Sequence, residues 1–232
     1  MVDYEKIYNE QADEYERLVA HEDYQENIFA ALERIKPLTG LDVVELGAGT
    51  GRLTCMLAPV VRTIRAFDIS AHMLEVAAAK LSESGLRNWR TGVAEHRDLP
   101  VDDQSADLAI SGWSICYTAI DYEETWQREL SRALDEMKRV LRPGGAIIIL
   151  ETLGTGYSTP TPPEIVQAYL AFLEEEAGFS TTWIRTDYLF ESVEQAREVT
   201  GFFFGEEMVE NIIIRTDQAI LPECTGIWWL HV

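Results

Sequence analysis

The stretch Glu45-Leu46-Gly47-Ala48-Gly49-Thr50-Gly51 places three glycines at alternate positions directly after a short apolar run. A turn of this composition lets a ligand approach the backbone where a Cβ would collide, and the helix that follows offers N–H groups without partners of their own. Several nucleotide-type ligands use such a turn, so the spacing must discriminate. The dinucleotide fingerprint Gly-x-Gly-x-x-Gly would put its third glycine at position 52, which is Arg52 here. Glu45, two residues ahead of the first glycine, would disfavour a pyrophosphate and suit a ligand with a positive charge. A second acid, Asp68, closes another apolar run about 20 residues later, the distance from which a carboxylate reaches a ribose in strand-turn-helix folds. The competing role for Asp68 is the start of the next helix, for which Ser70 is better placed.

The elements that must position these residues alternate in type. Residues 3–36 carry two charged helical patterns, one with the stripe Ile7, Tyr8, Ala12, Tyr15 and Leu18, the other with Ile28, Phe29, Leu32 and Ile35. After Pro37 and Gly40, short apolar runs at 41–46, 63–67, 89–93, 107–111 and 146–151 are separated by helical patterns over 51–59, 71–82 and 122–141. This alternation implies an α/β fold, a three-layer doubly wound, Rossmann-like sheet with right-handed crossovers. Arg142-Pro143-Gly144-Gly145 marks the entry to the fifth strand, since proline ends the preceding helix and the glycines permit a sharp turn. Further on, 152–163 reads as a loop, 164–177 as a helix, 179–189 as a strand, 192–200 as a helix and 225–232 as a final strand.

Glu45 to Gly51 resembles the first motif of the class I S-adenosylmethionine-dependent methyltransferases, particularly the group that methylates small molecules and quinones. Ala66-Phe67-Asp68-Ile69-Ser70, followed by Met73, Leu74 and Ala77, is similar to the family's second-strand segment, whose acid takes both ribose hydroxyls of the cofactor. Gly92-Val93-Ala94-Glu95 with Asp98-Leu99-Pro100 and Ser105-Ala106-Asp107-Leu108 resembles its adenine loop and fourth strand. There the chain departs from the family, because many members carry Asp where Val93 stands, and the segment 95–98 is about two residues longer than usual. Glu136 to Gly145 is similar to the family's helix-to-strand junction. These segments span residues 41–151 in family order. The resemblance implies S-adenosylmethionine as cofactor, held by Glu45, Gly47, Ala48, Gly49, Thr50, Gly51, Asp68, Ile69, Met73, Ala94, Glu95, Ser111, Gly112 and Trp113. It also implies seven strands in the order 3-2-1-4-5-7-6 with the last strand antiparallel. One domain over 1–232 is expected, with a helical lid at 1–37, a cofactor-binding core at 41–151 and a C-terminal part at 152–232.

By the same resemblance the methyl acceptor lies over the carboxyl ends of strands four and five, beneath the front helices. The candidates are the segment 111–117, the loop 152–157, and Tyr8, Tyr15 and His21. A dedicated base is optional in a methyl transfer that rests on alignment, and the hydroxyls of Tyr117 and Tyr15 are the catalytic candidates. Trp113 borders the methyl or packs between strand and helix. His96 and Arg97 fit a solvated loop, and Cys116 a small buried thiol. Phe202-Phe203-Phe204, Trp228 and Trp229 read as core, with the two tryptophans facing opposite sides of a strand, and Glu174 to Glu176 and Glu206-Glu207 as solvated faces.

Composition narrows the partners. With 19 basic and 40 acidic residues among 232, the net charge is −21, which repels phosphate backbones and anionic lipid surfaces. Cys55, Cys116 and Cys224 are widely spaced, and His21, His72, His96 and His231 lack metal-ligand spacing, so neither a disulfide framework nor a metal site is expected. The first residues, with Asp3, Glu5 and Lys6, do not read as a secretion signal, and no apolar run approaches the ~18 residues of a membrane span. The expectation is a cytoplasmic methyltransferase acting on a small molecule, with no nucleic-acid or membrane partner. The alternatives are a regulatory protein that binds the cofactor without turnover and a nicotinamide-dependent oxidoreductase. The glycine spacing and the lack of a Tyr-x-x-x-Lys pair weigh against the oxidoreductase.

Overall fold

The structure, a computed structural model, describes residues 4–215 and 218–232; Asp3 lies outside them. Five strands, β1 (Asp42–Leu46), β2 (Thr63–Asp68), β3 (Trp89–Val93), β4 (Ala106–Gly112) and β5 (Leu141–Thr155), pair in parallel in the order β3-β2-β1-β4-β5. The last strand, β10 (Glu223–His231), runs antiparallel to β5 and carries β6 (Ser180–Arg185) on its outer edge. This is the seven-stranded order expected from the sequence.

Period-two alternation splits the apolar residues between two layers. Val44, Ile147, Ile149 and Trp228 face α7 (Trp126–Val140) and α8 (Glu164–Glu175), whereas Val43, Ile64, Ile148 and Ile227 face α3 (Asn27–Ile35), α4 (Arg52–Leu57) and α5 (Ala71–Glu83). Trp228 joins the first layer and Trp229 packs on the second, so the two tryptophans do point apart.

Several local expectations are revised. The first front helix is two helices, α1 (Tyr4–Glu10) and α2 (Ala12–Val19), broken at Gln11, although Ile7, Ala12 and Leu18 still share a buried stripe. The helix expected over 122–141 starts at Trp126, and α6 (Cys116–Asp121) precedes it. At the Arg142 to Gly145 corner the strand has already begun: Ala106 pairs with Leu141 and Leu108 with Ala146, so the four residues form a bulge opposite Asp107.

The C-terminal part differs most. The strand β5 continues to Thr155 inside the expected loop, because residues 152–155 pair with the start of β10. The run expected as one strand over 179–189 is two, β6 and β7 (Tyr188–Phe190), in different sheets. Arg185 Nη2 donates to both Asp187 oxygens, at 2.6 and 2.8 Å, while Asp187 accepts the Glu223 N–H at 2.9 Å, so the chain turns away at the head of β10. There β9 (Gln218–Leu221) pairs antiparallel with β7 on one side and β8 (Ile213–Arg215) on the other, and α9 (Val193–Phe204) packs on this small sheet. Phe203 and Phe204 pack in this satellite core, as expected for core aromatics.

Candidate active site

The turn after β1 takes its shape from positive-φ backbone. Gly47 and Gly49 have φ of +67° and +54°, which L side chains adopt only at a cost of roughly 1–2 kcal/mol each. At Gly47 space is equally restrictive, since a Cβ would stand 1.9 Å from Ser114 Oγ; at Gly49 it would meet only Met73 Cε, at 3.5 Å. Asp68, at the carboxyl end of β2, accepts the Gly49 N–H and the Ser70 N–H, each at 2.8 Å. The carboxylate thus ties the turn to the neighbouring strand. Burial raises the Asp68 pKa, and these backbone donors oppose the rise. Ser70 caps α5 by accepting the Met73 N–H, and its hydroxyl donates to the Tyr8 carbonyl at 2.9 Å, which fastens α1 to the cradle. The cap is therefore Ser70, and Asp68 gives Oδ2 to the glycine turn and Oδ1 to the Ser70 N–H.

Glu45 is buried beneath the turn, where Thr54 donates to it at 2.6 Å, and burial pushes its pKa up to about 8. Arg52 opens α4, pairs with the buried Glu22, and lies with its guanidinium carbon 3.4 Å from the centroid of the Trp113 ring. Trp113 has φ of +51°, a strained conformation for a bulky side chain, and is fixed there by its N–H donating to Leu150 O at 2.7 Å as well as by the stacked arginine.

These groups open on a cavity of about 750 Å³. Its walls include Glu45, Gly47, Ala48, Gly49, Thr50 and Asp68 from the first two strand ends, Ile69 and Met73 after β2, Ala94 and Glu95 after β3, and Gly112 and Trp113 after β4. Tyr15 and Tyr117 also line it, joined by Tyr4 and Tyr8. The Tyr8 and Tyr117 hydroxyls are 2.8 Å apart, and the Tyr8 ring meets Tyr15 edge-on. Burial pushes Tyr15 up to about 12 and raises Tyr117 as well, so both phenols stay protonated and offer a donor, not a base.

Not every expected residue reaches the cavity. Ser111 is fully buried in β4 and Gly51 packs against Ala77 at the helix start, so neither forms the wall. His21 hydrogen-bonds Gln195 at 3.1 Å and packs on Phe190, away from the cavity. Residues 152–155 of the expected loop belong to the β5–β10 pair, where Thr152 donates to the buried Glu223 at 2.6 Å. Cys116, expected as a buried thiol, is half-buried; burial raises its pKa and its backbone N–H donates to the buried Glu151.

Two residues expected in a solvated loop lie at the site instead. Arg97 joins Glu95, Glu129 and the Tyr122 hydroxyl at 2.7–2.8 Å. The His96 Nε2 is 3.0 Å from Ser114 Oγ, and burial, followed by the neighbouring Arg97 charge, lowers the imidazole to about 4. The only sequence signal was the two extra residues between Glu95 and Asp98, whose direction no periodicity reports.

A parallel sheet with a glycine turn after β1 and a carboxylate closing β2 defines a Rossmann-like binder of a nucleoside cofactor. Comparison with known proteins narrows the class. Residues 44–149 match the family model described as "Methyltransferase domain". The demethylmenaquinone methyltransferase of Lactococcus lactis is 30% identical over 181 residues, covering 75% of this chain and 66% of that protein. A malonyl-[acyl-carrier protein] O-methyltransferase of a Marinomonas species is 30% identical over 162 residues, 68% of this chain and 53% of that one. Among solved structures, a SAM-dependent methyltransferase from Aquifex aeolicus superposes with a TM-score of 0.55 at 17% identity, over 99% of this chain and 94% of that one, and shows the shared fold. The chain spans from 39% to 66% of the length of these and similar curated relatives.

The chain belongs to the class I S-adenosylmethionine-dependent methyltransferases, and S-adenosylmethionine is its cofactor. The described residues fit that molecule. Asp68 has both oxygens oriented by backbone donors and retains lone pairs for a diol, the glycine turn leaves the space beside it free of Cβ atoms, and Glu45 supplies a carboxyl group beneath it that a cation would ionise.

Proposed function

We propose that the protein transfers a methyl group from S-adenosylmethionine to a small neutral molecule held between the glycine turn and the tyrosines of α1, α2 and α6. The observation that carries this reading is the joint between Asp68 and Gly49, which presets a carboxylate and a bare backbone on one cavity wall. Bound there, the cofactor supplies an electrophilic methyl on a sulfonium. The chain contributes binding, alignment and the exclusion of water. Asp68 takes the ribose, Ala94 and Glu95 border the base, and Met73 and Ile69 cover apolar surface. The Tyr8–Tyr117 pair orients the acceptor by a hydroxyl donor.

The charges along the cavity support a neutral acceptor. Arg52 is committed to Glu22, and Arg97 to Glu95 and Glu129, so among the described lining residues no guanidinium is left for an anionic group. The relatives named for a quinone precursor and for a malonyl-carrier substrate bracket the range of small acceptors in this family; the charge pairing favours the uncharged end. The net charge of −21 favours a partner that is not a nucleic acid. A cytoplasmic location is part of the same proposal, and no helix among the described residues is long and apolar enough to cross a membrane. The alternatives of a non-catalytic binder and an oxidoreductase gain no support from the comparisons.

The test is calorimetric titration with S-adenosylhomocysteine and, separately, NADH. Micromolar binding of the former is expected, and heat from NADH alone would refute the assignment.

A further inference from the structure

The loop after β3 brings His96 onto Ser114, the second residue beyond β4, at 3.0 Å. Both lie on the cavity wall. The pair sits against the first glycine of the turn: a Cβ on Gly47 would be 1.9 Å from Ser114 Oγ and 3.2 Å from His96 Nε2. Asp68 holds the turn at Gly49, so the pair marks a separate point of the cavity, in the segment that also bears Trp113 and Tyr117. The charges acting on the ring come from Arg97 and Glu95 in its own loop, and Arg97 is drawn off by Glu129. With its pKa at about 4 the imidazole is neutral at neutral pH, and in the tautomer that carries the ring proton on Nδ1 its Nε2 accepts the Ser114 hydroxyl. The cradle for the nucleoside uses neither residue.

We propose that Ser114 and His96 form a proton relay for a hydroxyl-bearing acceptor. The inference rests on the methyltransferase reading above and adds to it the class of atom methylated. As the acceptor oxygen bonds to the methyl carbon, the carbon–sulfur bond breaks and its electron pair stays on sulfur. The acceptor's proton passes to Ser114 Oγ while the proton of Ser114 passes to His96 Nε2, and the imidazolium then yields it to water. Ser114 ends as it began.

The weak basicity of the half-buried imidazole selects the acceptor. An oxygen that gains a methyl while still protonated is an oxonium, more acidic than an imidazolium, and a weak base suffices to take its proton. A methylated amine is an ammonium, which holds its proton far more tightly than this imidazole could. The paired state of Arg52 and Arg97 keeps the acceptor neutral, which a hydroxyl compound satisfies.

The test compares two ligands that differ at the transferred group. S-adenosylhomocysteine lacks the methyl, and sinefungin carries an amine in its place. Ser114→Ala and His96→Asn are expected to weaken sinefungin by about tenfold or more while S-adenosylhomocysteine changes by less than about twofold. Parallel weakening of both ligands would show that the pair only braces Gly47, and no change in either would show that it does not face the transferred group; both outcomes overturn the relay. If the wild type binds neither ligand, the methyltransferase reading itself fails. In a panel of phenols, alcohols and amines offered with S-adenosylmethionine, the methyl is expected on oxygen, and products methylated only on nitrogen would overturn the hydroxyl assignment.

Discussion

The two walls of the cavity are made in different ways. One is backbone: the turn from Gly47 to Gly51 and the strand end at Asp68, elements set by two adjacent parallel strands and locked by the Asp68 bonds to Gly49 and Ser70. The other is side chain: Tyr8 and Tyr15 from the front helices, Tyr117 from α6, and Phe203 from α9 behind them, with ring centroids 5.3–6.1 Å apart. A backbone wall serves one fixed ligand, since it changes only if the fold does. A side-chain wall can be re-cut for a new acceptor without disturbing the sheet.

The largest expected effect therefore falls on the backbone wall. Asp68→Ala removes the proposed ribose acceptor and strands two backbone donors. With charge-assisted bonds contributing about 1.5–3 kcal/mol each, affinity for S-adenosylhomocysteine is expected to fall by about a hundredfold or more in calorimetry. A loss confined to a few-fold would mean that the ribose is held elsewhere.

The glycines sharpen the contrast within that wall. Gly47→Ala adds a clash with Ser114 to its left-handed backbone, whereas Gly49→Ala adds only the backbone cost because Met73 leaves room. The expected loss of affinity is about tenfold for Gly49→Ala and greater for Gly47→Ala, measured in the same titration. Equal losses would show that backbone strain alone governs the turn.

These differences also explain what could be read in advance. The cradle was legible because its parts are local: three glycines at fixed offsets, an apolar strand ending in Asp68, Ser70 at the cap. The seven-strand order followed from alternation and from family resemblance. The small sheet of β7, β9 and β8 was not legible, because the turn out of β6 depends on Asp187 meeting Arg185 and the Glu223 amide, a contact 36 residues away in sequence. His96 was missed for a related reason. Its partner, Ser114, lies 18 residues further on, and nothing in a polar loop shows which side chain turns inward.

Buried acids beneath both walls set the response to pH. Burial lifts Glu45 to about 8 and Glu151 to about 7 from 4.5, and raises Glu223 as well. Between pH 4.5 and 8 the native chain keeps protons that the unfolded chain has released, so stability falls as pH rises through that window. On the acid side Glu129, lowered to about 2 chiefly by Arg97 and then Arg128, contributes stability that is lost as pH falls below 4.5. The melting temperature is thus expected to peak near pH 5 and decline toward pH 8. Glu151→Gln, which keeps acceptors for Cys116 N and Tyr169 OH, should flatten that decline. An unchanged slope in the variant would remove Glu151 from the account.

The smallest effect tests the side-chain wall. Tyr8→Phe deletes one hydroxyl of the Tyr8–Tyr117 pair and keeps the ring that packs on Tyr15, Tyr4 and Tyr117. The lost bond is expected to cost about 1 kcal/mol in urea unfolding, partly offset because Tyr117 can turn its hydroxyl toward the open cavity. Because the Ser70 hydroxyl bonds the Tyr8 carbonyl and not its phenol, the strap over the cradle stays fastened, and S-adenosylhomocysteine affinity should change by less than about twofold. If that affinity fell as far as in Gly49→Ala, the two walls would not be independent, and the tyrosines would have to be counted as part of the cofactor site.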